Sequence, residues 1–206
     1  MWVVKLGGSL FGASVLRDWL SALAGRGGGR VVIAPGGGPF ADQVRAAQQA
    51  WGFDDATAHR MAVCAVDQYG WLLCGLQPGL VPAPSLAEIR RALACGQVPV
   101  WLPGAMLGEE PGLARDWSVT SDTLAAWLAR RCGAEHLLLV KSVAFEADTV
   151  ALSHLVREGI VDPAFPDQIR DGGLRVYVAG RDEHPGLGSW LNAATTPPGV
   201  CRVTAR

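Results

Sequence analysis

The chain has 206 residues, a mass of 21.7 kDa and a formal net charge of −1 at pH 7, with 50% hydrophobic and 18% charged residues. This supports one generous domain or two very small ones, long enough to bury a core without staples, and excludes a disordered chain. The near-zero charge excludes a global basic field for nucleic acid or an anionic membrane, and no apolar run approaches the roughly 18 residues of a membrane span.

In chain order, Val3–Leu6 predicts a short buried strand ending in Gly-Gly. Ser14–Ala24 carries Val15, Leu16, Trp19, Leu20 and Leu23 at the spacing of one helix face. Gly25–Gly29 is a connector to a second buried strand, Arg30–Ala34. A helix opens at Pro39, carries Phe40, Val44, Ala47 and Trp51 at helical spacing, and stops at Gly52. Asp54–Leu73 predicts a long helix rich in small residues, and Pro78–Pro84 a loop. Ser85 with Glu88 forms a capping-box pattern before a short helix that ends at Gly96. Val98–Leu102 is a strand, Pro103–Trp117 a loop, Thr120–Cys132 a helix, His136–Val140 a strand and Leu174–Ala179 another. The tail from Gly180 carries no clear pattern. Continuous apolar strands separated by helices predict one α/β domain around a mostly parallel sheet covered on both faces.

Cysteines 64, 74, 95, 132 and 201 form no CxxC and no Cys/His cluster, which argues against a zinc site or a disulfide framework. The segment MWVVKLGGSLF has no basic region followed by a long apolar stretch, so no signal peptide is expected and a reduced, cytoplasmic protein is.

Of the 18 basic residues only Lys5 and Lys141 are lysines. Where Arg serves every generic positive charge, a retained Lys is a candidate for a compact point charge, as on a transferring phosphate. Lys5 opens one of two Gly-rich turns, Lys5-Leu-Gly-Gly-Ser9 and Pro35-Gly-Gly-Gly-Pro39, each ending a strand. Glycines let a backbone approach phosphate closely, and the helix that follows offers free N–H groups. Two such turns in one sheet point to a site that grips phosphates from two sides. There is no GxxxxGK[ST], which excludes a P-loop. Gly36–Ala41 loosely matches a dinucleotide-fold turn, but Asp54 and Asp55, at the distance of its required acidic residue, begin a helix instead of ending a strand.

The Lys-x-Gly-Gly-Ser turn, the Gly-Gly-Gly turn, Ser118-Val-Thr-Ser-Asp122 opening a helix, and Leu137-Leu-Leu-Val-Lys-Ser-Val143, in that order over residues 5 to about 180, resemble the amino acid kinase family. His59-Arg-Met-Ala62, Asp67-Gln-Tyr-Gly70, Trp117–Asp122 and Val161-Asp-Pro-Ala-Phe165 narrow the resemblance to a small branch of that family. This branch is found with methanofuran- and tetrahydromethanopterin-linked one-carbon metabolism. The resemblance implies a three-layer αβα sandwich in a single domain, with residues to about 115 on the acceptor side and the rest on the nucleotide side. It implies an ATP- and Mg2+-dependent kinase, a homo-oligomer without nucleic-acid or membrane partners. The expected reaction converts [5-(aminomethyl)furan-3-yl]methyl phosphate to its diphosphate.

By the same resemblance, Lys5 contacts the transferring phosphoryl oxygens, Gly7, Gly8 and Ser9 surround the phosphates, and Gly36, Gly37 and Gly38 face the acceptor. Asp122 orients the lysines, and Thr120 and Ser121 lie beside it toward the substrate. No Lys follows Lys141, and Asp171-Gly-Gly-Leu-Arg175 lacks the family's later lysine, so Lys141, with Ser142, is expected to supply the second charge from a different backbone position. His59 is a candidate for the acceptor's existing phosphate, and Asp67 for its aminomethyl cation. Asp162 and Phe165 are candidates for the adenosine wall, with Phe165 on the base. Rival readings are a carboxylate or nucleotide acceptor, and a non-catalytic nucleotide-binding storage or sensor protein on the same fold.

Overall fold

The computed structural model describes residues 1–107, 112–170, 173–192 and 199–204. Trp2–Leu6 (β1) and Val31–Pro35 (β2) are buried along their whole length, as uninterrupted apolar runs require. Between them lies α1 (Val15–Arg26). After β2 come α2 (Gly38–Trp51) and α3 (Asp55–Leu76), then β3 (Leu80–Ala83), α4 (Leu86–Ala94) and β4 (Val98–Trp101). The chain continues through α5 (Ser121–Cys132), β5 (His136–Lys141), β6 (Thr149–Ala151), α6 (Leu152–Arg157), α7 (Phe165–Ile169), β7 (Arg175–Gly180), α8 (Leu187–Trp190) and β8 (Cys201–Thr204).

Helix starts follow local chemistry. Asp54 accepts from the Thr57 N–H at 2.6 Å, and Ser85 accepts from the Glu88 N–H while its hydroxyl donates to Glu88 at 2.7 Å. Each such cap stabilises its helix by about 1 kcal/mol.

The eight strands form one sheet in the order β3-β4-β2-β1-β5-β7-β8-β6. Every pairing is parallel except β7 with β8. Period-two alternation sends Trp2, Val4 and Leu6 to one face, against Trp19, Leu20 and Leu23 of α1 and Tyr69 and Leu73 of α3. Val3, Val32, Ala34, Leu137 and Leu139 face the other way, against Leu124, Ala125 and Leu128 of α5 and Phe165 of α7. Each large apolar side chain buried this way contributes about 1.5–3 kcal/mol. The result is the expected αβα sandwich.

Two sequence expectations change. Pro78–Pro84 is not all loop: Leu80–Ala83 is the edge strand, where Pro82 is tolerated because an edge needs fewer ladder donors. The tail from Gly180 contains α8 and β8, and Trp190 packs on Trp19 at 6.0 Å between ring centroids. Among the helix tryptophans, Trp19 and Trp127 are core and Trp51 is 83% exposed. Asp171 and Gly172 of the turn that lacks a lysine lie outside the described residues.

The sheet order reverses at β1, whose neighbours β2 and β5 lie on opposite sides. In such sheets the crevice beyond the carboxyl ends of the strands at the reversal is where ligands bind. The turns after β1, β2 and β5 all open there.

Candidate active site

Strand register places the two lysines. Lys5 pairs with Leu139, so Lys141, two residues further along β5, points to the same face. That face is covered by α5, and Asp122 sits in its first turn. One carboxylate therefore meets both cations: Lys5 Nζ is 2.9 Å from Oδ1 and Lys141 Nζ is 2.6 Å from Oδ2. Side-chain exposure is 6% for Lys5, 11% for Lys141 and 6% for Asp122. Burial pushes the Asp122 carboxyl up, but Lys5 and Lys141 outweigh burial and hold it below the usual carboxylate range. Burial and repulsion from Lys5 bring Lys141 down to about 8, against the attraction of Asp122. Two cations share one anion here, so the group carries a net positive charge toward the crevice.

The two Gly-rich turns touch backbone to backbone. A Cβ on Gly8 would lie 2.5 Å from Gly38 Cα, and one on Gly36 2.6 Å from the Gly8 nitrogen. Only residues without a side chain allow this approach, and Gly38 additionally has φ +54°. Helix α2 starts from this junction with no side-chain cap and no acidic residue in its first turn, which leaves its N–H groups open to an anion.

Two cavities meet at the junction. One, of about 330 Å3, is lined by Lys5, Gly7, Lys141 and Ser142 together with Glu158–Ile160. The other, of about 340 Å3, lies between α2, α3 and α5 and is lined by Gly37, Gly38, His59, Thr120 and Ser121. Gly8 and Ser9 line both. The two cavities are thus neighbours across Gly8 and Ser9. His59 is half-buried; burial and Arg115 push its imidazole down against the pull of Asp116, so it favours the neutral form until an anion binds beside it.

Other expected residues are placed differently. Gly36 packs under Gly8 and does not line the acceptor cavity. Asp67 lies outside both cavities and accepts from the Gly104 N–H at 3.1 Å, so its expected pairing with an aminomethyl cation is not met. Asp162 is buried and accepts from the N–H groups of Thr120 and Thr123, at 3.1 and 2.9 Å, and from the Thr120 hydroxyl. It caps α5 from a distant loop and so fixes Asp122, which corrects its assignment to an adenosine wall. Phe165 is fully buried beneath α5 and cannot lie on a base. Residues not foreseen are Asp42, Arg45 and Trp117 in the acceptor cavity and Glu158, Gly159 and Ile160 in the other. Asp42 and Arg45 follow Gly38 by four and seven residues, about one and two helical turns, a spacing that puts them on one helix face. Trp117 opens a segment already recognised, but no role was assigned to it. The last three had no signal, because α6 was not recognised.

Both Asp122 oxygens face lysines, and among the described residues no group of three His, Cys, Asp or Glu side chains is placed to hold a metal ion. Among the described residues no helix is long and apolar enough to cross a membrane.

The model of the Amino acid kinase family matches residues 1–149. A curated relative, [5-(aminomethyl)furan-3-yl]methyl phosphate kinase of Methanocaldococcus jannaschii, is 26% identical over 196 residues, covering 90% of this chain and 89% of the relative. Among solved structures, uridylate kinase from Archaeoglobus fulgidus superposes with a TM-score of 0.73 at 18% identity, covering 98% of this chain and 99% of that one. UMP kinase from Bacillus anthracis gives 0.70 at 18% identity, covering 98% and 95%.

Proposed function

The chain belongs to the amino acid kinase family and is a kinase, and we propose that it transfers the γ-phosphoryl group of ATP to a small phosphate monoester, [5-(aminomethyl)furan-3-yl]methyl phosphate, making the diphosphate in methanofuran-type cofactor synthesis. The observation that carries this reading is the Lys5–Asp122–Lys141 bridge, set where two cavities share Gly8 and Ser9. The nucleotide phosphates enter the cavity beside Lys141 and Ser142, and the acceptor phosphate enters the one beside Gly37, Gly38 and His59. An acceptor phosphate oxygen attacks the γ-phosphorus, the bond from that phosphorus to the β,γ-bridging oxygen breaks, and ADP leaves. Phosphoryl transfer demands positioning and charge neutralisation more than covalent chemistry. Lys5 and Lys141 supply the charge, the turns supply backbone donors, and Asp122 aims both lysines. An already anionic acceptor oxygen needs no general base, which suits a junction whose carboxylate is held by two lysines.

Mg2+ is expected to enter with the nucleotide, on its phosphates. The enzyme is proposed to be cytoplasmic and, from the exposed Trp51, Met61 and Trp71 on α2 and α3, a homo-oligomer. The test is ADP release from ATP with three acceptors in parallel: the furan phosphate, UMP, and a carboxylate with hydroxylamine present. Release with the furan phosphate that Lys5→Ala and Lys141→Met abolish supports the reading. Release only with UMP, or trapping of an acyl phosphate by hydroxylamine, assigns another acceptor. Tight ATP binding without release from any acceptor favours a sensor.

A further inference from the structure

One wall of the acceptor cavity is built for something other than phosphate. The Trp117 Nε1–H donates to Gln48 Oε1 at 2.7 Å, and the Arg45 guanidinium carbon lies 4.1 Å from the Trp117 ring centroid. Arg45 is itself tied to Asp42 at 3.4 Å. An indole has a single hydrogen-bonding group, and here it is spent on Gln48. Arg45 holds the ring through its π face. Trp117 therefore offers the cavity apolar contact alone, and Ala62, Val63, Val66 and Leu124 continue that surface. The cavity thus combines phosphate-binding turns, an apolar patch and the charged pair Asp42–Arg45.

We infer that Trp117 is the specificity-determining platform for a flat acceptor ring, and that Asp42 at its edge takes a cationic substituent of that ring. This deepens the reading of the acceptor as an aminomethyl-bearing phosphate monoester, and rests on it. At about 340 Å3 the cavity is at the small end of ligand pockets, sized for one ring and a phosphate. Asp42 has the exposure to meet a ligand cation, with 71% of its side chain accessible and one long ion pair to Arg45. Asp67, bonded to Gly104, lies outside the cavity.

The test separates KM from kcat for the furan phosphate and for ATP in wild type, Trp117→Phe, Trp117→Leu, Trp117→Met and Asp42→Asn. Losing the ring in the Leu and Met variants should raise the acceptor KM about tenfold, with kcat and the ATP KM within about twofold, and Phe should keep most of the affinity. Asp42→Asn should raise KM about tenfold for the aminomethyl acceptor and leave it unchanged for the analogue bearing methyl in its place. An unchanged acceptor KM in folded Trp117→Leu or Trp117→Met, or a parallel loss of kcat and ATP affinity, overturns the platform. If wild type does not turn over the furan phosphate, its quenching of tryptophan fluorescence without ATP decides. Quenching that Trp117→Leu loses upholds the platform and removes the kinase acceptor reading, whereas no quenching in wild type overturns the platform.

Discussion

Replacing Asp122 with Ala removes the single anion between two buried ammonium groups. Lys5 and Lys141 would then face each other with side chains 6% and 11% exposed and no carboxylate between them. Removing one partner of a buried ion pair costs about 3–5 kcal/mol, because the remaining charge stays desolvated. In a domain of this size each kcal/mol moves Tm by about 2–4 °C, so the expected fall is about 6–20 °C. Lys141→Met is the control: it removes one cation in favour of an apolar chain of similar length and leaves the Lys5–Asp122 pair intact. It should change stability by no more than about 1 kcal/mol while removing turnover. Thermal and urea unfolding of both variants, with ADP release measured alongside, reads this directly. If Asp122→Ala loses less than about 1 kcal/mol, or Lys141→Met loses as much as Asp122→Ala, the shared-anion account is wrong.

Gly8→Ala forces the two Gly-rich turns apart at a contact of 2.5 Å to Gly38 Cα and should lower kcat/KM about a hundredfold, in keeping with the cost of a misplacement of about 1 Å; normal kinetics would show that the turns need not touch. Lys141 is brought down to about 8, so the fraction carrying its proton falls as pH rises through 8, and kcat/KM should fall with it. Bound nucleotide phosphates favour the protonated form, so the same limb should move alkaline in kcat, and Lys141→Arg, which cannot titrate there, should lack it. Asp162→Ala removes the acceptor for the Thr120 and Thr123 N–H groups and should cost about 1–3 kcal/mol in urea unfolding; an unchanged midpoint would refute its capping role.

Much of the fold was legible because β1, β2, β4 and β5 are short apolar runs and α1, α2 and α3 carry their apolar residues at helical spacing. Lys5, Gly8, Ser9 and Asp122 were legible as parts of motifs. Lys141 stood out by scarcity, but its meeting with Asp122 is a tertiary fact that depends on the β1–β5 register. The errors lie where context decides. Asp162 reads as a loop carboxylate until α5 is laid against it, and Phe165 reads as a loop aromatic until α7 buries it. Asp67 and Asp42 are both helix carboxylates, and only the positions of Gly104 and the cavity tell them apart. Strands β3, β6 and β8 are three or four residues long, too short for a period to show.

The central claim is phosphoryl transfer to a phosphate at the Lys5–Asp122–Lys141 junction. Phosphorus NMR of the product from Mg-ATP and the furan phosphate, with wild type beside Lys5→Ala, tests it most directly. The account predicts a pair of coupled diphosphate resonances on the acceptor in wild type and none with Lys5→Ala. Inorganic phosphate with no phosphorylated acceptor, or an equal yield of diphosphate from Lys5→Ala, would contradict it.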